Sequence, residues 1–147
     1  RAAVQAIGAG WPGAPGALSF LRDRATHDQD TDVWETAIWA VASGWTSYSG
    51  TFVWLCDRAT EDENATVRRA AVQAIGAGWA GDPEALSFLR DRATHDPHDI
   101  VRQVAVQTVG MSWPSDPDAL DLLHDRAIHD EARDVRAIAE TIVTYLG

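Results

Sequence analysis

The chain has 147 residues, 46% hydrophobic and 23% charged, which is globular composition and argues against intrinsic disorder. Its formal net charge is −10, and all 12 basic residues are arginine. That balance argues against nucleic acid and against anionic membranes, both of which select basic surfaces.

No apolar run approaches the roughly 18 residues that cross a bilayer, and no signal peptide is evident. The single cysteine, Cys56, excludes an internal disulfide and fits a reducing compartment, so a cytoplasmic protein is expected. Arginine in place of lysine, with abundant alanine, points to a GC-rich bacterial genome. The first residues already read as the middle of a helix, so the chain reads as a fragment of something larger.

The strongest signal is an internal repeat. Trp11, Trp45, Trp79 and Trp113 are spaced by 34. Leu21, Leu55, Leu89 and Leu123 keep the same period, as do Asp23, Asp57, Asp91 and Asp125. So do Arg24, Arg58, Arg92 and Arg126, and then Asp28, Asp62, Asp96 and Asp130. The units are 1–11 (partial), 12–45, 46–79, 80–113 and 114–147, about 4.3 repeats in one array. Residues 1–28 match 69–96 at all but three positions, the mark of a duplicated two-repeat block.

Each unit reads as two helices. The helix that opens the chain ends at Gly10, and Gly44 ends its counterpart. The next of this kind spans 66–77, with a buried stripe of Val67, Ala71, Ala74, Ile75 and Gly78, the last placed to end it. A helix over 84–95 follows, with Asp82 as N-cap, Pro83 at N1, and Leu86, Leu89 and Ala93 on one apolar face. Residues 100–111 repeat the second type. The final helix, Val135 to Leu146, is more apolar than its counterparts, with Ile138, Ile142, Val143, Tyr145 and Leu146. It needs a further repeat or serves as a cap, and exposed ends of this kind could dimerise. Each ladder Trp follows a helix end and is expected to wedge between successive units, as a structural core residue.

Between the helices runs Asp-x4-Val-Arg-x2-Ala: Asp62 with Val67-Arg68 and Ala71, Asp96 with Val101-Arg102 and Ala105, Asp130 with Val135-Arg136 and Ala139. The carboxylate can accept from turn amides at a helix N-terminus, and the Arg can reach a carboxylate of its own or a neighbouring unit. Such a ladder would set the stacking angle. Asp91 and Arg92 are adjacent and so point to different sides of the helix, which directs them to other units rather than to each other.

The motif resembles the HEAT repeat over the whole chain. The tetratricopeptide pattern, with Trp inside the first helix, does not fit. The resemblance implies an all-α, right-handed α-solenoid of helical hairpins, with the second helix of each pair on the concave face. The wording Val-Arg-x-Ala-Ala-Val-Gln-Ala-x-Gly-x-Gly-Trp is similar to HEAT arrays of bacterial multidomain proteins, many joined to a NACHT-type NTPase of the STAND class. That resemblance implies a sensor or scaffold region controlling the NTPase. HEAT-like DNA glycosylases use a basic cleft, which the net charge opposes, and nothing marks a site of the kind found in HEAT-like bilin lyases.

Function is expected where the repeat breaks. Trp34 stands where the ladder has Arg68, Arg102 and Arg136, and Trp39 where it has Gln5, Gln73 and Gln107. Helices about 8–10 Å apart would range Gln5, Trp39, Gln73 and Gln107 in one exposed row on the concave face, with Glu35 one turn before Trp39, and the expected site is that surface around Trp34, Glu35 and Trp39. An exposed Trp among polar residues is typical of a protein-binding hot spot. The alternative is local packing of the two indoles, leaving a structural spacer. In the same unit Tyr48 lies in an altered loop, a candidate rim residue, and Trp54 replaces Phe20, Phe88 and Leu122 as a core variant.

No chemistry stands out. His27, His95 and His129 share one repeat position and read as structural. His95-x2-His98-Asp99 lacks a recognised ligand set. No phosphate loop or nucleophile elbow occurs. Cys56 reads as a buried, inert thiol. The expectation is a non-enzymatic module with a protein or peptide partner and no cofactor or metal.

Overall fold

The computed structural model describes residues 21–23, 31–46 and 49–147. Among them are seven full α-helices and no strand: α1 (Thr31–Gly44), α2 (Ser49–Glu61), α3 (Ala65–Gly78), α4 (Pro83–His95), α5 (Asp99–Ser112), α6 (Pro117–His129) and α7 (Arg133–Leu146). The 34-residue period is literal in their starts: Thr31 to Ala65, Pro83 to Pro117, Asp99 to Arg133. Gln5, Trp11, His27 and Tyr48 lie outside the described residues.

Two compact units divide the chain, residues 1–78 and 79–147. In the first, α2 and α3 form a hairpin across the turn at residues 62–64, and α1 packs on both, mainly on α3. In the second, the α4–α5 and α6–α7 hairpins stack, α5 against α7 and α4 against α6. The architecture is a stack of helical hairpins within each unit.

Helix starts follow from local chemistry. The Asp82 carboxylate accepts the Glu84 amide at 2.8 Å, and Pro83 begins α4 without an N–H to lose. Asp116 does the same for α6, accepting from the Asp118 and Ala119 amides. His98 caps α5 through its ring, Nδ1 accepting the Ile100 amide at 3.1 Å. The turn before Asp82 takes a left-handed step at Gly81 (φ 87°), where a side chain would be strained.

The expected stripe of the second-type helix is sealed: Val67, Ala71, Ala74 and Ile75 are buried, while Gly78 at the helix end is exposed. Leu86, Leu89 and Ala93 are buried on α4. Trp45 (1% exposed) and Trp113 (6%) are core residues, and Trp79 is half-buried. The Trp45 and Trp113 amides close α1 and α5 by donating to the carbonyls of Val41 and Val109. On α7, Ile138, Ile142, Val143 and Leu146 are only half-buried, and Tyr145 is exposed.

Candidate functional site

The motif arginines hold the turns. Arg68 Nη1 donates to the Asp62 carbonyl at 2.8 Å, Arg102 Nη1 to the Asp96 carbonyl at 2.8 Å, and Arg136 Nη1 to the Asp130 carbonyl at 2.6 Å. Each guanidinium thus satisfies a carbonyl just beyond the preceding helix, where helical partners run out. Arg102 also spans to the next repeat. Its Nε and Nη2 donate to Asp130 Oδ2 at 3.0 Å and Oδ1 at 3.1 Å. Asp130 further accepts from Arg126 Nη1 at 3.3 Å and the Ala132 amide at 2.9 Å.

Burial by itself would raise the Asp130 carboxyl, but the hydrogen bonds from Arg102 and the Ala132 amide, with the Arg102 and Arg126 charges, hold it below the usual carboxylate range. The Asp130 hydrogen bond outweighs burial at Arg102 and pushes its guanidinium further up. Arg102 and Asp130 thus form a fully paired rung between neighbouring repeats.

The adjacent Asp–Arg pairs correct the expectation drawn from helix geometry. Arg92 Nη2 donates to Asp91 Oδ2 at 2.7 Å, and Arg126 Nη2 to Asp125 Oδ2 at 2.7 Å. Their Cβ atoms diverge, but the long arginine folds back along the helix surface and still reaches Asp96 or Asp130 one turn on. His95 and His129 lie exposed beside Asp91 and Asp125 at 3.1 and 3.2 Å. Among the described residues no group of three or more His, Cys, Asp or Glu side chains could hold a metal ion. The Cys56 thiol is half-buried and pushed up to about 12, first by burial and then by the Asp57 charge, which leaves it protonated and unreactive.

The residues that break the repeat lie on α1, but not together. Trp34 and Trp39 are five residues apart, about 140° around a helix. Trp39 is 37% exposed and lines a recess of ≈190 Å³ with Ala42, Ser43, Thr46, Ala74, Ala77 and Gly78. Glu35, on the same side, pairs with Arg69 of α3 at 3.4 Å. Trp34 is half-buried and lines a separate groove of ≈560 Å³ with Arg58, Glu61, Asp62, Glu63 and Asn64. Its indole Nε1 is sealed from solvent without a hydrogen-bond partner.

Gln73 is half-buried rather than exposed, because α1 packs over α3. Gln107, also half-buried, belongs to the other compact unit. Trp54 is not a plain core replacement: it is half-buried, with the Arg22 guanidinium 5.5 Å from its ring centroid. Sequence reasoning missed that cation–π contact, although Arg22 recurs as Arg90 one duplication on.

Helical hairpins at a 34-residue period, joined by an Asp-and-Arg ladder, define a helical-repeat protein. The family model for HEAT repeats matches residues 52–142, more than half of the chain, and the chain belongs to that family. Its fold class is an all-α solenoid of helical hairpins, a typical protein-interaction scaffold, and no catalytic family is indicated. No curated protein and no solved structure matches the chain. Among the described residues no helix is long and apolar enough to cross a membrane.

Proposed function

We propose that residues 1–147 form a single HEAT array that acts as a non-enzymatic protein-binding module, docking a protein or peptide on the α1–α3 face around Glu35, Trp39 and Gln73. The observation that carries this reading is Trp39 itself. A large indole stays 37% exposed over a recess lined by Ala74, Ala77 and Gly78, at the repeat position that Gln5, Gln73 and Gln107 also occupy. Small residues beneath an exposed aromatic leave room for a partner side chain, and such indoles dominate interface energetics. Glu35, already paired with Arg69, adds polar definition at the edge.

The finer part of the proposal is that the array is a sensor or scaffold arm of a bacterial signalling protein of the NACHT/STAND kind. Its support is the wording of the repeat. A Walker-type phosphate loop encoded in the same reading frame tests it, and a frame without one overturns that part.

The docking face is tested with paired baits, the wild type and Trp39→Ala, in lysate of the source cells. A partner held by the wild type and weakened about tenfold or more by the folded variant supports the face, the size expected of a hot-spot residue. Equal capture by both overturns it. No partner for either favours a structural spacer.

A further inference from the structure

Position 34 is where the ladder is interrupted, and the interruption leaves a carboxylate short of a partner. In the second unit, Arg102 grips Asp130, 28 residues on, through Nε at 3.0 Å and Nη2 at 3.1 Å. The same step from residue 34 lands on Asp62. Because residue 34 is tryptophan, that position supplies no guanidinium to Asp62.

Among the described residues the Asp62 carboxylate keeps the local contacts that Asp130 also has: the amide two residues on, Asn64, at 2.9 Å, and the arginine one turn back, Arg58, at 3.5 Å. The Asp62 side chain is 16% exposed, and that of Asp130 is 0%. The groove in front of Asp62 measures ≈560 Å³, against ≈380 Å³ for the matching groove that Arg102 lines.

We propose that this groove is a receptor for a guanidinium group, the side chain of an arginine on a protein partner. The repeat supplies the template, since the equivalent carboxylate is built to take one planar fork in two parallel bonds. Arg58 does not exclude the guest. Its counterpart Arg126 sits 3.3 Å from Asp130 in the very site where Arg102 also binds. Glu61 and Glu63 line the groove and add negative charge, which offsets the Arg58 cation. The Trp34 indole supplies an aromatic wall for a cation, and the net charge of −10 favours the approach of basic segments. This site is separate from the Trp39 face and does not depend on it.

The test uses the full chain, labelled with ¹⁵N and titrated with Nα-acetyl-arginine methylamide, or with the lysine or citrulline analogue. The reporters are the Trp34 indole Nε1–H, assigned with Trp34→Phe, and the Asn64 amide. Saturable shifts are expected with the arginine compound, with affinity about tenfold or more lower for the other two and in Asp62→Asn, the loss expected when a bidentate charged pair is broken. Trp34→Arg refills the site from within, so it should melt higher than the wild type and lose the Asn64 response to arginine. That variant also decides the matter if Asp62→Asn does not fold. No saturable shift overturns the proposal. So does an equal response to lysine, the sign of a diffuse negative field, or an undiminished arginine response in Trp34→Arg.

Discussion

Asp130 is a tightly held charge in the second unit. It is fully sealed and is held by Arg102, Arg126 and the Ala132 amide. Removing one member of a buried pair strands the other, so Asp130→Ala should cost roughly 3–5 kcal/mol in urea unfolding. An apolar pair, Arg102→Met with Asp130→Leu, should recover most of that loss. If the double variant is as weak as the single one, the penalty comes from packing and not from a stranded charge. Because its folded pKa lies below the usual 3.8, Asp130 stabilises the protein above that value. As pH falls through the folded value, the unfolded chain binds the proton first and the contribution is lost. Asp130→Asn should therefore flatten the acid limb of a stability-against-pH curve. An acid limb as steep as that of the wild type counts against this assignment.

At the scale of elements, the α5–α7 contact rests on a missing side chain. A methyl at Gly110 would stand 2.7 Å from Ile142 Cγ2. A β-branched side chain in a helix has little rotamer freedom to move away. Gly110→Ala should therefore destabilise by about 1–2 kcal/mol, despite the better helix propensity of alanine. In an Ile142→Ala background the clash is gone and propensity alone remains, so the same substitution should stabilise by up to about 1 kcal/mol. A loss of equal size in both backgrounds, read by thermal melts, would place the strain elsewhere. The expected helices 66–77, 84–95 and 100–111 were legible to within a residue at each end, since caps and prolines act on their own turn. The last began two residues earlier than expected, at Arg133, where Ala132 makes no side-chain cap to mark the start. Helix geometry sets the two α1 tryptophans about 140° apart, which the grouping of both in one expected site overlooked. Their separate grooves were not legible, because the walls come from α2 and α3.

Across the whole molecule, a repeat array couples mainly through nearest neighbours. A lesion at one rung should open its own hairpin and the next, not the entire chain. Asp130→Ala should raise amide hydrogen exchange in α5, α6 and α7 about tenfold or more, and leave α1 and α2 within about twofold. Equal acceleration throughout would show one cooperative block instead. Deviations concentrate in one stretch of the array: Trp34, Trp39 and Trp54 fall within residues 34–54, across two consecutive repeats, where other units carry Arg68, Gln73 and Phe88.

The period, the helix pairs, the caps at Asp82 and Asp116 and the Asp-and-Arg ladder were set by the sequence by itself. Each is either local to one turn or copied at a spacing of 34, so repetition announces it. Tertiary structure alone decided that Trp45 and Trp113 are sealed while Trp39 is not. It also decided that Gln73 is half-covered, and that the groove at Asp62 is the wider one, ≈560 Å³ against ≈380 Å³ at Asp130. Those outcomes depend on the shapes that helices one repeat away bring to each side chain. A pattern of residue types records which side chains recur, not how much space their neighbours leave.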